Sequence, residues 1–173
     1  VNFWNIFGAG LFGSLINLPI VNYYEHATYL TGNHAHAAMF GVKGNIALGG
    51  MLFCGQHLLP KALWNEKLIK TSFWSLQIGL LMMMTMDLFP IGMYQLMIVF
   101  QEGLWYARSQ EILTGPVWRF FTYARSIGGT LFIVGGVFPL IWLFVSRAGS
   151  LRKETPELEQ EGEWTVYEKD WAA

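Results

Sequence analysis

The sequence predicts an all-α integral membrane protein, a helical bundle with four transmembrane helices. Three observations lead to this prediction. Of the 173 residues, 53% are hydrophobic and only 13% are charged, which is roughly half the charged fraction of an average soluble domain. Four stretches with few or no charges reach the length of about 20 residues that a helix needs to cross a bilayer. These stretches also lack the alternation over about ten residues that is typical of membrane β-strands.

The predicted spans follow one another along residues 1–147 and leave a polar tail at 148–173. The first is rich in glycine, which permits close contact between helices, and the third is long enough to be tilted or kinked at Pro90. Val1 stands at the start of an apolar stretch with no signal peptide, so we expect the chain to continue a longer polypeptide. The approximate bounds of the four spans are 3–24, 34–59, 69–100 and 116–147.

The distribution of Lys and Arg predicts the orientation of the bundle. Positive residues concentrate in the second connection and in the tail, and this pattern marks the cytoplasmic side of a membrane protein. The tail is therefore predicted to be cytoplasmic, and His34 to enter the bilayer from the outer face. The net charge of −1 indicates no nucleic-acid partner, and the single cysteine, Cys54, excludes an internal disulfide.

The main candidates for ligands of a cofactor are two histidines, His34 and His36. Side chains at i and i+2 of a helix point about 200° apart, so they cannot chelate one small metal ion. Each can instead present an imidazole to a different partner, and haem iron accepts an axial imidazole. Small neighbours such as Ala35 and Ala37 leave room for a macrocycle. The alternative interpretation is two interfacial histidines that bond to loops or to water.

Two further charges lie inside predicted spans, where each costs about 2.5–3.5 kcal/mol on insertion scales. Lys43 and Asp87 are therefore candidates for an intramembrane pair, and Asp87 alternatively for a proton path. At the outer side, Arg108 and Arg125 are candidates for contacts with haem propionates through charge-assisted hydrogen bonds. For both arginines the alternative is ordinary contact with lipid headgroups.

With these residues identified, the chain resembles the catalytic subunit of bacterial nitric oxide reductase, in particular the quinol-dependent branch, within the haem–copper oxidase superfamily. The resemblance extends over nearly the whole chain. It would make the four helices the C-terminal part of a fold with twelve or more helices in the bacterial inner membrane. The blocks that carry it are Phe3-Trp4-Asn5, Gly8-Ala9-Gly10-Leu11-Phe12-Gly13, Ile16-Asn17-Leu18-Pro19, His34-Ala35-His36-Ala37-Ala38-Met39-Phe40-Gly41-Val42, Trp105-Tyr106-Ala107-Arg108-Ser109 and Gly135-Gly136-Val137.

The resemblance implies cofactors and partners for the histidine pair. His34 would ligate a high-spin haem of b3 type, and His36 a low-spin haem b that delivers electrons. A non-haem iron would be held by ligands outside this chain, in the remainder of the same polypeptide. The implied reaction couples two nitric oxide molecules to N2O, with quinol as the electron donor, and this part of the polypeptide would be inactive alone.

Two departures from the family pattern keep other functions open. Lys43-Gly44-Asn45 stands where Tyr-Gly-Met is usual, and Gly129-Thr130 stands where the last helix usually carries an aspartate thought to help bind quinol. Loss of that contact suits a nitric oxide dismutase, which needs no external electrons. A non-catalytic b-type cytochrome and a transporter that uses Lys43 and Asp87 are further alternatives.

Overall fold

The computed structural model describes residues 1–58 and 64–146, and these residues form helices without any strand. The predicted tail, 148–173, lies outside the described residues. A single 3-10 turn at Tyr106–Arg108 precedes the short helix Gln110–Leu113. In chain order the helices are α1 (Trp4–Ile16), α2 (Pro19–Glu25), α3 (Tyr29–His57), α4 (Glu66–Glu102), α5 (Gln110–Leu113) and α6 (Pro116–Ser146).

The first predicted span is two helices, α1 and α2, which meet at an angle of 97°. Leu18 has an extended backbone with ψ of 130°, and Pro19 begins the next helix because its fixed φ suits a first helical position. The amides of Asn17 and Asn22 donate to the carbonyl oxygens of Gly13 and Ile16 at 2.6 and 3.1 Å. These bonds satisfy carbonyls that the end of α1 leaves free. The described residues therefore contain three helices long enough to span a membrane, or four if the bent pair counts as one.

The second span begins earlier than the sequence predicts. Thr28 caps α3 by accepting a hydrogen bond from the Leu30 backbone N–H at 3.3 Å, a common way to begin a helix. The helix therefore starts at Tyr29 and not near His34. At 1.5 Å per residue, His34 and His36 lie about 8 and 10 Å from its N-terminal end, within the bundle.

The third span, α4, is one continuous helix of 37 residues. Asn65 caps its start by accepting from the Leu68 backbone N–H at 3.1 Å. Pro90 does not break it, because the turn that precedes the proline, Met84–Leu88, is wound as a π-helix and this adjustment accommodates the missing N–H. The helix is about 55 Å long, so it exceeds the thickness of a bilayer core of about 30 Å and tilts or extends beyond it.

Helix α4 is the centre of the bundle. In the most apolar 18-residue stretch of α4, 50% is buried inside the protein. The corresponding shares are 11% in α3 and 22% in α6. A cluster around its middle holds α1 and α3 against it, and large apolar side chains elsewhere on α1, α3 and α6 point outwards. Such contiguous exposed apolar surface suits lipid or further membrane protein. The buried members of the cluster are Trp4, Ala37, Leu80, Met83, Met84 and Leu88.

Candidate functional site

The ring of His34 lies against α1. Its Nδ1 is 3.2 Å from the carbonyl oxygen of Gly8, and a Cβ added at Gly13 would come within 2.5 Å of its Cε1. The glycine therefore provides the space that the imidazole occupies. A carbonyl oxygen can only accept a hydrogen bond, so this contact requires the hydrogen on Nδ1 and leaves the lone pair on Nε2.

The ring of His36 lies on the opposite flank of α3, and its hydrogen bond is made within its own helix. Its Nδ1 is 2.9 Å from the carbonyl oxygen of Gly32, one turn earlier, and its ring packs beside Phe40 with the centroids 5.4 Å apart. Between the two histidines lies the buried face of the helix, where Asn33 and Ala37 are 6% and 0% exposed. The two imidazoles thus leave the helix on either side of its buried face.

This pair of imidazoles fits axial ligation of haem. Metal-ligating histidines usually donate one ring N–H to a carbonyl or carboxylate, which fixes the tautomer and frees the other nitrogen for the metal. His34 and His36 both meet this condition. The contact alone is not diagnostic, because exposed His57 makes the same bond to Phe53 at 2.8 Å; the bond of His34 differs in coming from another helix. Within residues 1–58 and 64–146, no three His, Cys, Asp or Glu side chains are close enough to hold a metal ion.

Asp87 has a different partner from the one the sequence suggests. Its side chain is fully buried, and Oδ2 lies 3.2 Å from Nε of Arg125 on α6, a side chain that is 34% exposed. Lys43 is exposed, and no described carboxylate pairs with it. Lys43 and Asp87 do not pair because they lie at different heights along the bundle. Asn45, two residues after Lys43, bonds to Gln77, and Gln77 lies almost three turns before Asp87 on α4.

Arg125 lies within a membrane-spanning helix and not at the connection that precedes it. It follows Pro116 by nine residues, about 14 Å along α6. The number of residues between Pro116 and Arg125 can be read from the sequence. It identifies Arg125 as a charged residue inside the span, which needs a partner. Its contact with a haem propionate stays a prediction, whereas its contact with Asp87 is part of the structure.

A chain of hydrogen bonds that the sequence interpretation missed joins α1, α4 and α3. The indole of Trp4 donates to Oε1 of Gln77 at 2.6 Å, and the Gln77 amide donates to Oδ1 of Asn45 at 2.8 Å. Asn45 in turn donates to the Gly41 carbonyl at 2.7 Å. Polar side chains that bond across helices fix their relative positions in lipid. The chain therefore holds α3, with its histidines, in register with both neighbours.

Arg108 lies beside the start of α3, at the end of the helix nearer to the histidines. Its Nη2 donates to the Ala27 carbonyl at 3.1 Å, where Ala27 has a positive φ of 60° just before α3 begins. Gln95 supports the same loop, because its Oε1 accepts from the Tyr29 backbone N–H at 2.8 Å and its amide donates to the Ala107 carbonyl at 3.1 Å. A guanidinium has five N–H donors, so one bond to Ala27 leaves others for an anionic group.

Comparison with known protein families gives a match over most of the chain. The family model described as cytochrome c and quinol oxidase polypeptide I covers residues 1–131, a range that includes His34, His36, Asp87, Arg108 and Arg125. A comparison with curated proteins gives no match. The matched family is an all-helical membrane family of oxidoreductases that bind haem and metal. The chain therefore belongs to the haem–copper oxidase family.

Proposed function

We propose that this chain forms part of a membrane haem enzyme that couples two NO molecules, two electrons and two protons to give N2O and water. The observation that supports the proposal most directly is the pair of imidazoles, His34 and His36. They leave opposite flanks of one helix, each with its Nδ1 hydrogen bonded to a carbonyl. The choice of NO as the substrate comes from the sequence blocks that resemble nitric oxide reductase.

Each histidine has a defined role in this proposal. His34 would ligate the high-spin haem b3 and His36 the low-spin haem b, through Nε2 in both cases. The haems, when bound, supply electron transfer and a site for nitrogen oxides, together with a non-haem iron whose ligands come from the rest of the polypeptide. The carbonyls of Gly8 and Gly32 orient the two rings, and Gly13 leaves room for the first ring.

The outer end of α3 would receive the acidic edge of a haem. Arg108 is fixed there by its bond to Ala27 and keeps free N–H donors, so it is suited to bind a propionate through charge-assisted hydrogen bonds. Arg108 would then bind the propionate in place of the lipid headgroups, which are its alternative partners. Quinol is the proposed electron donor for the reductase.

A second candidate function is nitric oxide dismutation, 2 NO → N2 + O2. The observation that favours it is the absence of an aspartate at Gly129-Thr130, because a dismutase needs no electrons from quinol. A side chain at 129 is not excluded by packing, since a Cβ there would meet only Met83 Sδ, at 3.8 Å. Gly129 is therefore not required by the contacts of α6 with α4.

Isotopically labelled NO distinguishes the two reactions. The intact membrane protein that contains this chain would be purified and incubated with labelled NO without oxygen, with and without quinol. Labelled N2O that appears only with quinol supports the reductase. Labelled N2 together with O2 and no donor supports the dismutase, and no nitrogenous product under either condition removes both.

Substitution of the histidines tests their roles as ligands. In the intact protein, His34→Ala is expected to abolish the high-spin haem spectrum and His36→Ala the low-spin spectrum. His57→Ala is the matched control, because His57 lies on the same helix with the same kind of Nδ1 bond but at the other end, and both spectra should survive. A wild-type protein with only a low-spin haem would identify a b-type cytochrome that relays electrons.

A further inference from the structure

The pair of Asp87 and Arg125 is the most unusual charge arrangement in the described part of the chain. Asp87 is 0% exposed, and its carboxylate contacts the guanidinium across the interface of α4 and α6 at 3.2 Å. The pair is poorly built for stability. Neither carboxylate oxygen has an aligned hydrogen-bond donor, and the Thr122 hydroxyl, one turn before Arg125, is also buried and unsatisfied. A buried pair without such bonds recovers little of the cost of desolvating it, so packing alone does not account for these charges.

The pair lies beside the His36 flank of α3. Helices α3 and α4 run antiparallel in close contact: a Cβ at Gly92 would meet Leu30, and a Cβ at Gly32 would meet Leu88. Residues one turn deeper on α3 therefore face the turn Met84–Leu88, which contains Asp87. On its other side α3 packs against α6, because Tyr29 contacts Trp118 and Phe40 contacts Phe132, with ring centroids 4.8 and 5.6 Å apart. His36 on α3 and Arg125 on α6 both lie between these two contacts.

A metal centre on His36 would respond to this pair. Reduction of a haem adds one negative charge, so a nearby positive charge favours the reduced form and a nearby negative charge favours the oxidised form. Inside a protein a unit charge is screened far less than in water. As a pair, the charges of Asp87 and Arg125 nearly cancel. An unpaired Arg125 would act on the iron with its full charge, whereas an unpaired buried carboxylate takes up a proton.

We propose that Asp87 and Arg125 set the reduction potential of the haem that His36 ligates, with Asp87 balancing the positive charge of Arg125. The inference rests on the proposed role of His36. It assigns to both residues a positioning function, which is to hold a neutral pair of charges beside the electron-transfer centre and to keep its potential within a working range.

The test is a redox titration of the low-spin haem in the intact protein and its variants. Asp87→Asn leaves Arg125 unbalanced and is expected to raise the potential. Arg125→Gln removes the positive charge and leaves a buried carboxyl that takes up a proton, so its potential should lie near that of the wild type. We expect Asp87→Asn to change the ratio of reduced to oxidised haem at fixed potential by about tenfold, which is ~59 mV for a one-electron couple. The double variant and Arg125→Lys should lie near the wild type.

The outcomes separate the inference from the function on which it rests. If the wild-type protein has no low-spin haem, the proposed role of His36 fails. If the haem is present and all variants titrate alike, or both single variants shift in the same direction, the inference fails alone. Where the single variants do not assemble the haem, Thr122→Asp decides: it adds a carboxyl one turn before Arg125 on α6, which Arg125 can hold ionised, and it should lower the potential, whereas Thr122→Asn should not.

Discussion

The orientation of each histidine depends on individual glycines and carbonyls around it. His34 occupies space that exists because position 13 has no side chain, and its tautomer depends on one carbonyl, that of Gly8. The spacing of His34 and His36 was sufficient to predict that the rings leave the helix in opposed directions, because that follows from helix geometry. The neighbours that hold them lie on other turns or helices and could not be predicted from this spacing.

Replacement of Gly13 tests this arrangement. In Gly13→Ala the new Cβ lies 2.5 Å from the imidazole Cε1, so the ring of His34 must rotate or α1 must move away. We expect the high-spin haem content of the intact protein to fall while the low-spin haem is retained, as measured by absorption spectra of both oxidation states. Gly50→Ala is the control, since nothing lies within 4 Å of its added Cβ. Equal loss of both haems would show that the effect is general unfolding.

At the scale of the elements, composition predicted the helices, but their ends and partners depend on local contacts. The apolar stretches indicated α3, α4 and α6 to within a few residues, except that Thr28 starts α3 before the apolar stretch. The bend between α1 and α2 was missed because hydropathy continues through Leu18 and Pro19, whereas the backbone does not. The partner of Asp87 was missed because pairing depends on the register of α4 with α6, which side chains far apart in sequence determine.

That register rests on the contact between Gly79 on α4 and Gly128 on α6. A Cβ at Gly79 would come within 2.8 Å of the Gly128 carbonyl and of the Phe132 amide, both of them backbone atoms that cannot move alone. Gly79→Ala is therefore expected to destabilise the protein by about 1–3 kcal/mol, the usual cost of overpacking. The measurement is thermal unfolding of the purified intact protein in detergent.

Gly49→Ala is the matched control for this helix contact. Nothing lies within 4 Å of its added Cβ, and alanine is intrinsically better than glycine in a helix by up to about 1 kcal/mol. Its melting temperature should equal or exceed that of the wild type. If Gly79→Ala unfolds at the same temperature as Gly49→Ala, the close approach of α4 and α6 is not present in the protein.

At the scale of the whole molecule, the charges and the helices together define which parts lie on the same side of the bilayer. A single long helix, α3, lies between the loop around Ala27 and the start of α4 near Asn65. One crossing places the two connections on opposite faces. The positive-inside rule assigns the face that carries Lys67 and Lys70 to the cytoplasm, so we predict that both histidines lie in the outer half of the bilayer.

Two single cysteines test this topology in a cysteine-free background of the intact protein. Tyr23, which is 74% exposed, lies on α2 near the outer end of α3, and exposed Lys67 lies at the start of α4. In right-side-out vesicles an impermeant maleimide should label Tyr23→Cys and not Lys67→Cys; in inside-out vesicles the labelling should reverse. Detergent should expose both positions and control for reactivity. Labelling of both cysteines from one side would mean that α3 does not cross the bilayer, since the described residues between the two positions contain no other helix long enough to do so.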